Sequence, residues 1–399
     1  MQDLVIEDCF FSRPLDRVGF PIVTLKALEI CDCDNLGFLL PQLFRCHHPS
    51  LEDLKIGDHI LRIQSSFSFT LSFSLAIFPR LIHFHIGALN GFESLSISIS
   101  EGEPTSLRSL KIIKCYDLGY IELPALDSAC YEILECRKLK LLALTLSSLQ
   151  RLSLKDCPQL LFHKDGLPPN QRELEICKCN QLTAQVDWGL QRLASLTKFK
   201  ISGEYDFLKW FTWEFRSSCG CQGVESFPEE RLLPSTLTTL EIEYFPNLKS
   251  LDGRGLQQLT SLTKLSICHC PQLQFIPQEG FQHFPSLIEL KIEDCPTLQS
   301  FGGEVLRHLT SLERLLIHQC DALQSLTEVG LQHLTSLEQL WIFNCRKLQS
   351  LTRERLPDSL TVLNINNCPL LEQRCQFEGG QEWDYIAHIP QILTGEEEF

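Results

Sequence analysis

Nineteen cysteines and twelve histidines give this 399-residue chain its largest capacity for chemistry. Zinc would need thiolates or imidazoles converging as a tetrahedral set. A nucleophilic thiol would need a base beside it. Among the C-x-C pairs, three recur in similar sequence settings, Cys31/Cys33, Cys177/Cys179 and Cys268/Cys270, each directly after an Ile. His83 and His85 offer two imidazoles two residues apart, and His283, His308 and His333 recur at intervals of 25. The sequence contains no H-E-x-x-H, G-x-S-x-G or G-x-x-x-x-G-K-[ST] stretch. Those motifs would have signalled a zinc hydrolase, a serine hydrolase and a phosphate-binding loop. The reading is therefore of a non-enzyme with no catalytic, cofactor-binding or metal residues.

The elements that position these cysteines explain most of them. LTKLSICHCPQL, LIELKIEDCPTL, LERLLIHQCDAL and LEQLWIFNCRKL share the pattern L-x-x-L-x-I-x-x-C-x-x-L, with Ile267, Ile292, Ile317 and Ile342 spaced by 25. Extending the template reaches Ile6, Ile30, Ile56, Ile86, Ile112, Ile133, Leu154, Ile176, Ile201, Ile242 and Ile365, fifteen copies in all. Eleven cysteines fall three residues after the template position: Cys9, Cys33, Cys115, Cys136, Cys157, Cys179, Cys270, Cys295, Cys320, Cys345 and Cys368. Leucine-rich repeats carry Asn or Cys there, where the strand turns into its loop. A buried Cys acts as a small hydrophobe with a weak donor. The C-x-C pairs lie several repeats apart and cannot converge on one ion, and His83/His85 has no evident third ligand.

One such unit cannot bury its apolar face alone, so neighbours must stack. The fold class expected is α/β: a leucine-rich-repeat solenoid of about 15 repeats, a curved horseshoe with a parallel β-sheet on its concave face. The convex segments should be mostly irregular or short and helical. The solenoid should occupy 1–375, with a C-terminal capping tail at 376–399. Ile201 and Ile242 are 41 apart, so an insert is placed at 204–219, EYDFLKWFTWEFRSSC.

Alternation along each strand then selects an outward face. If the second Leu and the Ile point inward, the residues flanking the Ile point out. In the last repeats these are Lys291/Glu293, Leu316/His318, Trp341/Phe343 and Asn364/Asn366. Leu316, Trp341 and Phe343 should form an apolar patch rimmed by charge and amide, the composition of an interface hot spot. The competing expectation is that the tail, through Trp383, Tyr385 and Ile386, folds over them. Glu7, Glu29, Glu241, Glu243 and Glu293 recur on the same face and suggest a preference for basic partners.

LPSTLTTLEI, FPNLKSLDGRGLQQLTSLTKLSI, CPQL and the ending SLTVLNINNCPLLEQRCQFEGGQEWDYIAHIP closely resemble the C-terminal repeat region of plant intracellular disease-resistance proteins. These are nucleotide-binding leucine-rich-repeat receptors of the coiled-coil class. The resemblance covers essentially the whole chain and is most specific over 233–390. It implies recognition of a pathogen effector or guarded host protein, and restraint of a nucleotide-binding switch module not present on this chain. Because the sequence opens inside a repeat, LVIEDC, the expectation is the sensor portion of a longer receptor.

The bulk numbers set the outer limits. With 50 acidic against 35 basic residues, a net charge of −15, no nucleic-acid partner is expected. Protein partners are expected instead: an effector, a guarded host protein or the parent receptor's nucleotide-binding module. The longest apolar stretch, FSFTLSFSLAIF at 67–78, is too short and too polar to span a membrane. Unpaired thiols and the absence of N-x-[ST] acceptors suggest a cytoplasmic location, with nuclear or peripheral membrane association open. Two other readings stay open: the substrate-recognition domain of a ubiquitin-ligase adaptor, and the ectodomain fragment of a receptor kinase.

Overall fold

The computed structural model describes residues 3–7, 9, 24–33, 36–57, 68–100, 105–145, 148–161, 167–183, 189–203 and 224–395. The insert at 204–219 lies outside them. The chain divides into two compact units, Met1–Trp188 and Gly189–Phe399.

In the first unit, parallel strands Asp3–Glu7, Ala27–Cys31, Asp53–Gly57, His83–Gly87, Ser109–Ile113, Cys130–Leu134, Arg151–Lys155 and Glu173–Cys177 pair in that order. Their register places Ile6, Ile30, Ile56, Ile86, Ile112, Ile133, Leu154 and Ile176 in one row. The second unit repeats the plan with Lys198–Ser202, Thr239–Glu243, Lys264–Cys268, Glu289–Glu293, Arg314–His318, Gln339–Phe343 and Val362–Asn366. Here the row runs Ile201, Ile242, Ile267, Ile292, Ile317, Ile342 and Ile365. Every template residue found in sequence therefore sits fourth in a five-residue strand, as a stacked leucine-rich repeat requires.

The strand ends by a fixed device. Two residues past the template position the backbone turns left-handed, at Asp294, Gln319, Asn344 and Asn367 among others. That turn carries the following cysteine inward, where its thiol donates to the carbonyl two residues back: Cys320 to His318 at 3.5 Å, Cys345 to Phe343 at 3.4 Å, Cys368 to Asn366 at 3.4 Å. Each thiol adds a second donor to a strand-end carbonyl that already accepts the left-handed residue's amide from the preceding repeat, Asp294 N–H to His318 at 2.9 Å, Gln319 N–H to Phe343 at 2.9 Å and Asn344 N–H to Asn366 at 3.0 Å. Ten of the eleven template cysteines are buried, whereas Cys9 is exposed. Among the described residues every cysteine is a free thiol.

The convex segments differ from expectation. A short helix does occur, at Gly253–Leu256, but each unit also carries a second parallel sheet. In the first unit it joins Phe69–Ser74, Phe92–Ser98, Tyr120–Pro124 and Leu141–Thr145; in the second, the two-residue strands Ser226–Phe227, Ser250–Leu251, Phe275–Ile276 and Ser300–Phe301. The cause is the apolar pair that follows each cysteine position. Leu273/Ile276 and Leu298/Phe301 bury their side chains against the core. The backbone between them then lies beside the same backbone one repeat away, and Gln299 N–H donates to the Gln274 carbonyl at 2.9 Å.

The tail extends the main sheet: Gln391–Thr394 pairs with Val362–Ile365. It is anchored by Glu382, a carboxylate only 1% exposed. Glu382 Oε2 accepts from the Leu351 and Thr352 amides at 2.9 and 3.2 Å, and Oε1 accepts from Arg374 Nε at 3.1 Å. Replacing it leaves two buried amides and a guanidinium without partners. Glu382→Ala should destabilise the second unit by about 3 kcal/mol, read as a lower denaturant midpoint, with hydrogen exchange of the Leu351 and Thr352 amides accelerated first.

The thiols give an alkaline prediction. The neighbouring Cys320 thiol and then burial push the Cys345 thiol up to about 12, and burial pushes Cys375 up to about 12. Both are neutral below the ordinary thiol value of 9.0 in the folded and the unfolded chain alike. Above it only the unfolded chain ionises, so their contribution to stability is lost as pH rises from about 9 towards 12. Thermal midpoints should fall across that window, and Cys345→Ala should flatten the fall.

Candidate protein-interaction face

All eight residues singled out from the sequence sit on four consecutive strands of the second unit. Burial alternates as anticipated: in Gln339–Phe343, Leu340 and Ile342 are buried while Gln339, Trp341 and Phe343 are not. Trp341 is 38% exposed. The register sets Lys291, Leu316, Trp341 and Asn364 in one cross-strand row and Glu293, His318, Phe343 and Asn366 in the next. Leu316 and Trp341 are direct neighbours, and the His318 ring meets Phe343 edge-on at 6.3 Å.

The tail does not take the place of a partner here. Its strand lies beyond Val362–Asn366, bringing Leu393 level with Asn364. Ile386 is buried, and Trp383 packs edge-on against Phe377 at 5.1 Å.

Sequence reasoning missed a third row. The same alternation exposes the first residue of each strand, giving Glu289, Arg314, Gln339 and Val362. The signal was available two positions before the residues chosen. It also missed the left-handed residues: Asn367 Nδ2 donates to Asn344 Oδ1, and Asn344 Nδ2 donates to His318 Nε2 at 2.8 Å. His318 Nδ1–H then donates to Glu293 Oε1 at 3.0 Å, and Lys291 pairs with the other carboxylate oxygen. One hydrogen-bonded chain thus crosses four strands and fixes the His318 tautomer.

The acidic stripe is not free to select a basic partner. Lys200 pairs with Glu241 and Glu243 at 3.6 and 2.8 Å, Lys55 pairs with Glu29, and Lys291 and His318 meet Glu293. Glu29, Glu241, Glu243 and Glu293 are thus neutralised within the sheet, whereas Glu7 is exposed. The sequence places the residues but not the pairs.

Two of the outward C-x-C thiols are covered by their neighbours. Cys31 and Cys268 occupy outward positions yet are 2% and 4% exposed. Longer neighbours cover the small side chain: Cys268 Sγ is 3.3 Å from Ser266 Oγ and 3.8 Å from Glu293 Oε2, and burial pushes its thiol up to about 12. His83 is exposed, and His85 is held below its usual range by burial and then by Lys55 and Lys111. Among the described residues one set of potential metal ligands gathers, Glu7, Cys31 and Asp32, with donor atoms within 4.8 Å of one another. It is a three-donor set of mixed type, short of the four-ligand tetrahedron of a structural zinc site.

Comparison with known proteins follows from this geometry. No family model matches the chain. Over 246 residues, 59% of this chain, it is 32% identical to an Arabidopsis thaliana protein named "Putative disease resistance protein". The chain is a leucine-rich-repeat protein similar to a plant disease-resistance protein. The match spans 15% of that relative's length. Among solved structures, a TLR13–ssRNA13 complex is 13% identical, covering 98% of this chain and 64% of the other at a TM-score of 0.37. An internalin, InlF, from Listeria monocytogenes is 12% identical, covering 82% and 86% at a TM-score of 0.34. With scores this low these two likenesses decide nothing, and the fold rests on the register of its own strands. Among the described residues no helix is long and apolar enough to cross a membrane. The stacked repeats and this similarity support a protein-interaction repeat module.

Glu293 supplies the test of this electrostatic picture. Burial pushes its carboxyl up, but the hydrogen bonds from Lys291 and His318 outweigh burial and hold it below its ordinary value. Its contribution to stability is therefore present above 4.5 and lost as pH falls through the lowered folded value. In the double variant Lys291→Met, His318→Leu the groups that hold it down are gone while burial remains, so the Glu293 carboxyl carbon should titrate at a higher pH than in the wild type, measured by NMR.

Proposed function

We propose that this chain is the sensor module of a plant immune receptor. It binds a pathogen effector or a guarded host protein through the outward face of the second unit, and it restrains a nucleotide-binding switch module located elsewhere in the receptor. The chain itself is non-catalytic, needs no cofactor, and works in the cytoplasm. The observation that carries the reading is Trp341, an exposed indole on a rigid strand, flanked by Leu316 and Phe343 and ringed by polar side chains. Large rigid aromatics inside a polar rim concentrate binding energy because they bury much area at little cost in side-chain entropy. Similarity to a disease-resistance protein supports the immune setting.

The test is Trp341→Ala in the otherwise intact receptor. Its outward side chain makes no core contact that folding depends on, so the variant should fold with an unchanged thermal midpoint. Affinity for the effector or for the switch module should fall by about 2 kcal/mol or more. In plants this should appear either as loss of the effector response or as response without effector. Wild-type behaviour on both counts would overturn the proposal.

A further inference from the structure

The outward face of the second unit is divided by chemistry. Its earlier strands carry ions that neutralise each other: Lys264 with Glu289 at 3.1 Å, Arg314 with Glu289 at 3.2 Å, and Lys291 with Glu293. Past Arg314 and His318 the outward residues are Gln339, Trp341, Phe343, Val362, Asn364 and Asn366, none of them charged. The side-chain amides of Asn364 and Asn366 make no hydrogen bond among the described residues, in contrast to Asn344 and Asn367 beside them. Two aromatics thus stand along one strand, and two unengaged amides along the next, in register with them.

That arrangement has a length scale. Residues two apart on a strand are about 6.7 Å apart, and so are alternate residues of any other extended polypeptide. Neighbouring strands are about 4.8 Å apart. A side-chain amide offers both donors and acceptors, so it can pair with a peptide N–H and C=O together. A charged ligand would find the adjacent cation, Arg314, already paired with Glu289, and would be desolvated against Trp341.

We propose, building on the sensor reading above, that this furrow binds an extended, uncharged peptide segment of the protein partner. The segment runs along the strand direction. Its apolar side chains at i and i+2 rest on Trp341 and Phe343, and Asn364 and Asn366 pair with its main chain. Recognition is then of backbone shape and alternate apolar side chains, independent of charge.

The experiment selects binders from a displayed library of random twelve-residue peptides on the full chain, counter-selected on Trp341→Ala. Enriched peptides should show apolar residues at i and i+2 with no acidic or basic residue between them. Asn364→Ala, Asn366→Ala should weaken a selected peptide about tenfold. N-methylation of the peptide bond between the two apolar residues, or of either adjoining one, should weaken binding to the wild type by a similar factor. It should have little further effect on the double variant. A lack of coupling between N-methylation and the asparagines, or a motif spaced i, i+3 or i, i+4, overturns the extended-peptide proposal while leaving Trp341 as a partner anchor. Peptides that bind the Trp341→Ala chain equally well overturn both readings. A library that yields no binder, with Trp341-dependent binding of chito- or cello-oligosaccharides instead, would also refute the peptide proposal.

Discussion

Everything in this protein depends on in-register parallel stacking of one small unit on the next. The inward Leu and Ile of each strand have no core of their own; they are buried by the same residues one repeat before and after. A side-chain period of two makes this unforgiving, because a slip of one residue would turn every buried leucine to solvent and every outward ion inward. The register is thus set by the hydrophobic pattern, and everything on the outward face inherits it.

Once register is fixed, the outward side chains form straight rows about 4.8 Å apart. At that spacing, opposite charges on adjacent strands meet, and their mutual interaction takes precedence over any partner. Lys200 with Glu241 and Glu243, Lys55 with Glu29, and Arg314 with Glu289 are cases. The binding potential of the face therefore lies where the rows are not self-satisfied. Trp341, Phe343, Asn364 and Asn366 are what remains after the ions have paired.

The inner side shows the same economy of polar groups. Most strands are followed by a left-handed residue whose amide donates to the next repeat's strand-end carbonyl, and where a cysteine stands three residues past the template position its thiol adds a second donor to its own strand-end carbonyl. This accounts for most of the unusual cysteine content without metal or disulfide. At the C-terminal end Glu382 does the corresponding work by accepting the Leu351 and Thr352 amides. The last repeat then passes into the strand Gln391–Thr394, which extends the sheet beyond Val362–Asn366.

The sequence by itself determined the repeat, the strand positions, the inward row and the alternation that turns Trp341 and Phe343 outward. These follow from local periodicity, which any stacked arrangement must respect. It did not reveal the second sheet of each unit, since two-residue strands such as Phe275–Ile276 have no periodicity to detect. Nor did it reveal that Cys268 is covered, that the recurring glutamates are paired, or that Asn344 is engaged while Asn364 is not. Those outcomes depend on which side chains a neighbouring repeat, some 25 residues away, brings within hydrogen-bonding distance. Only the folded stack decides them.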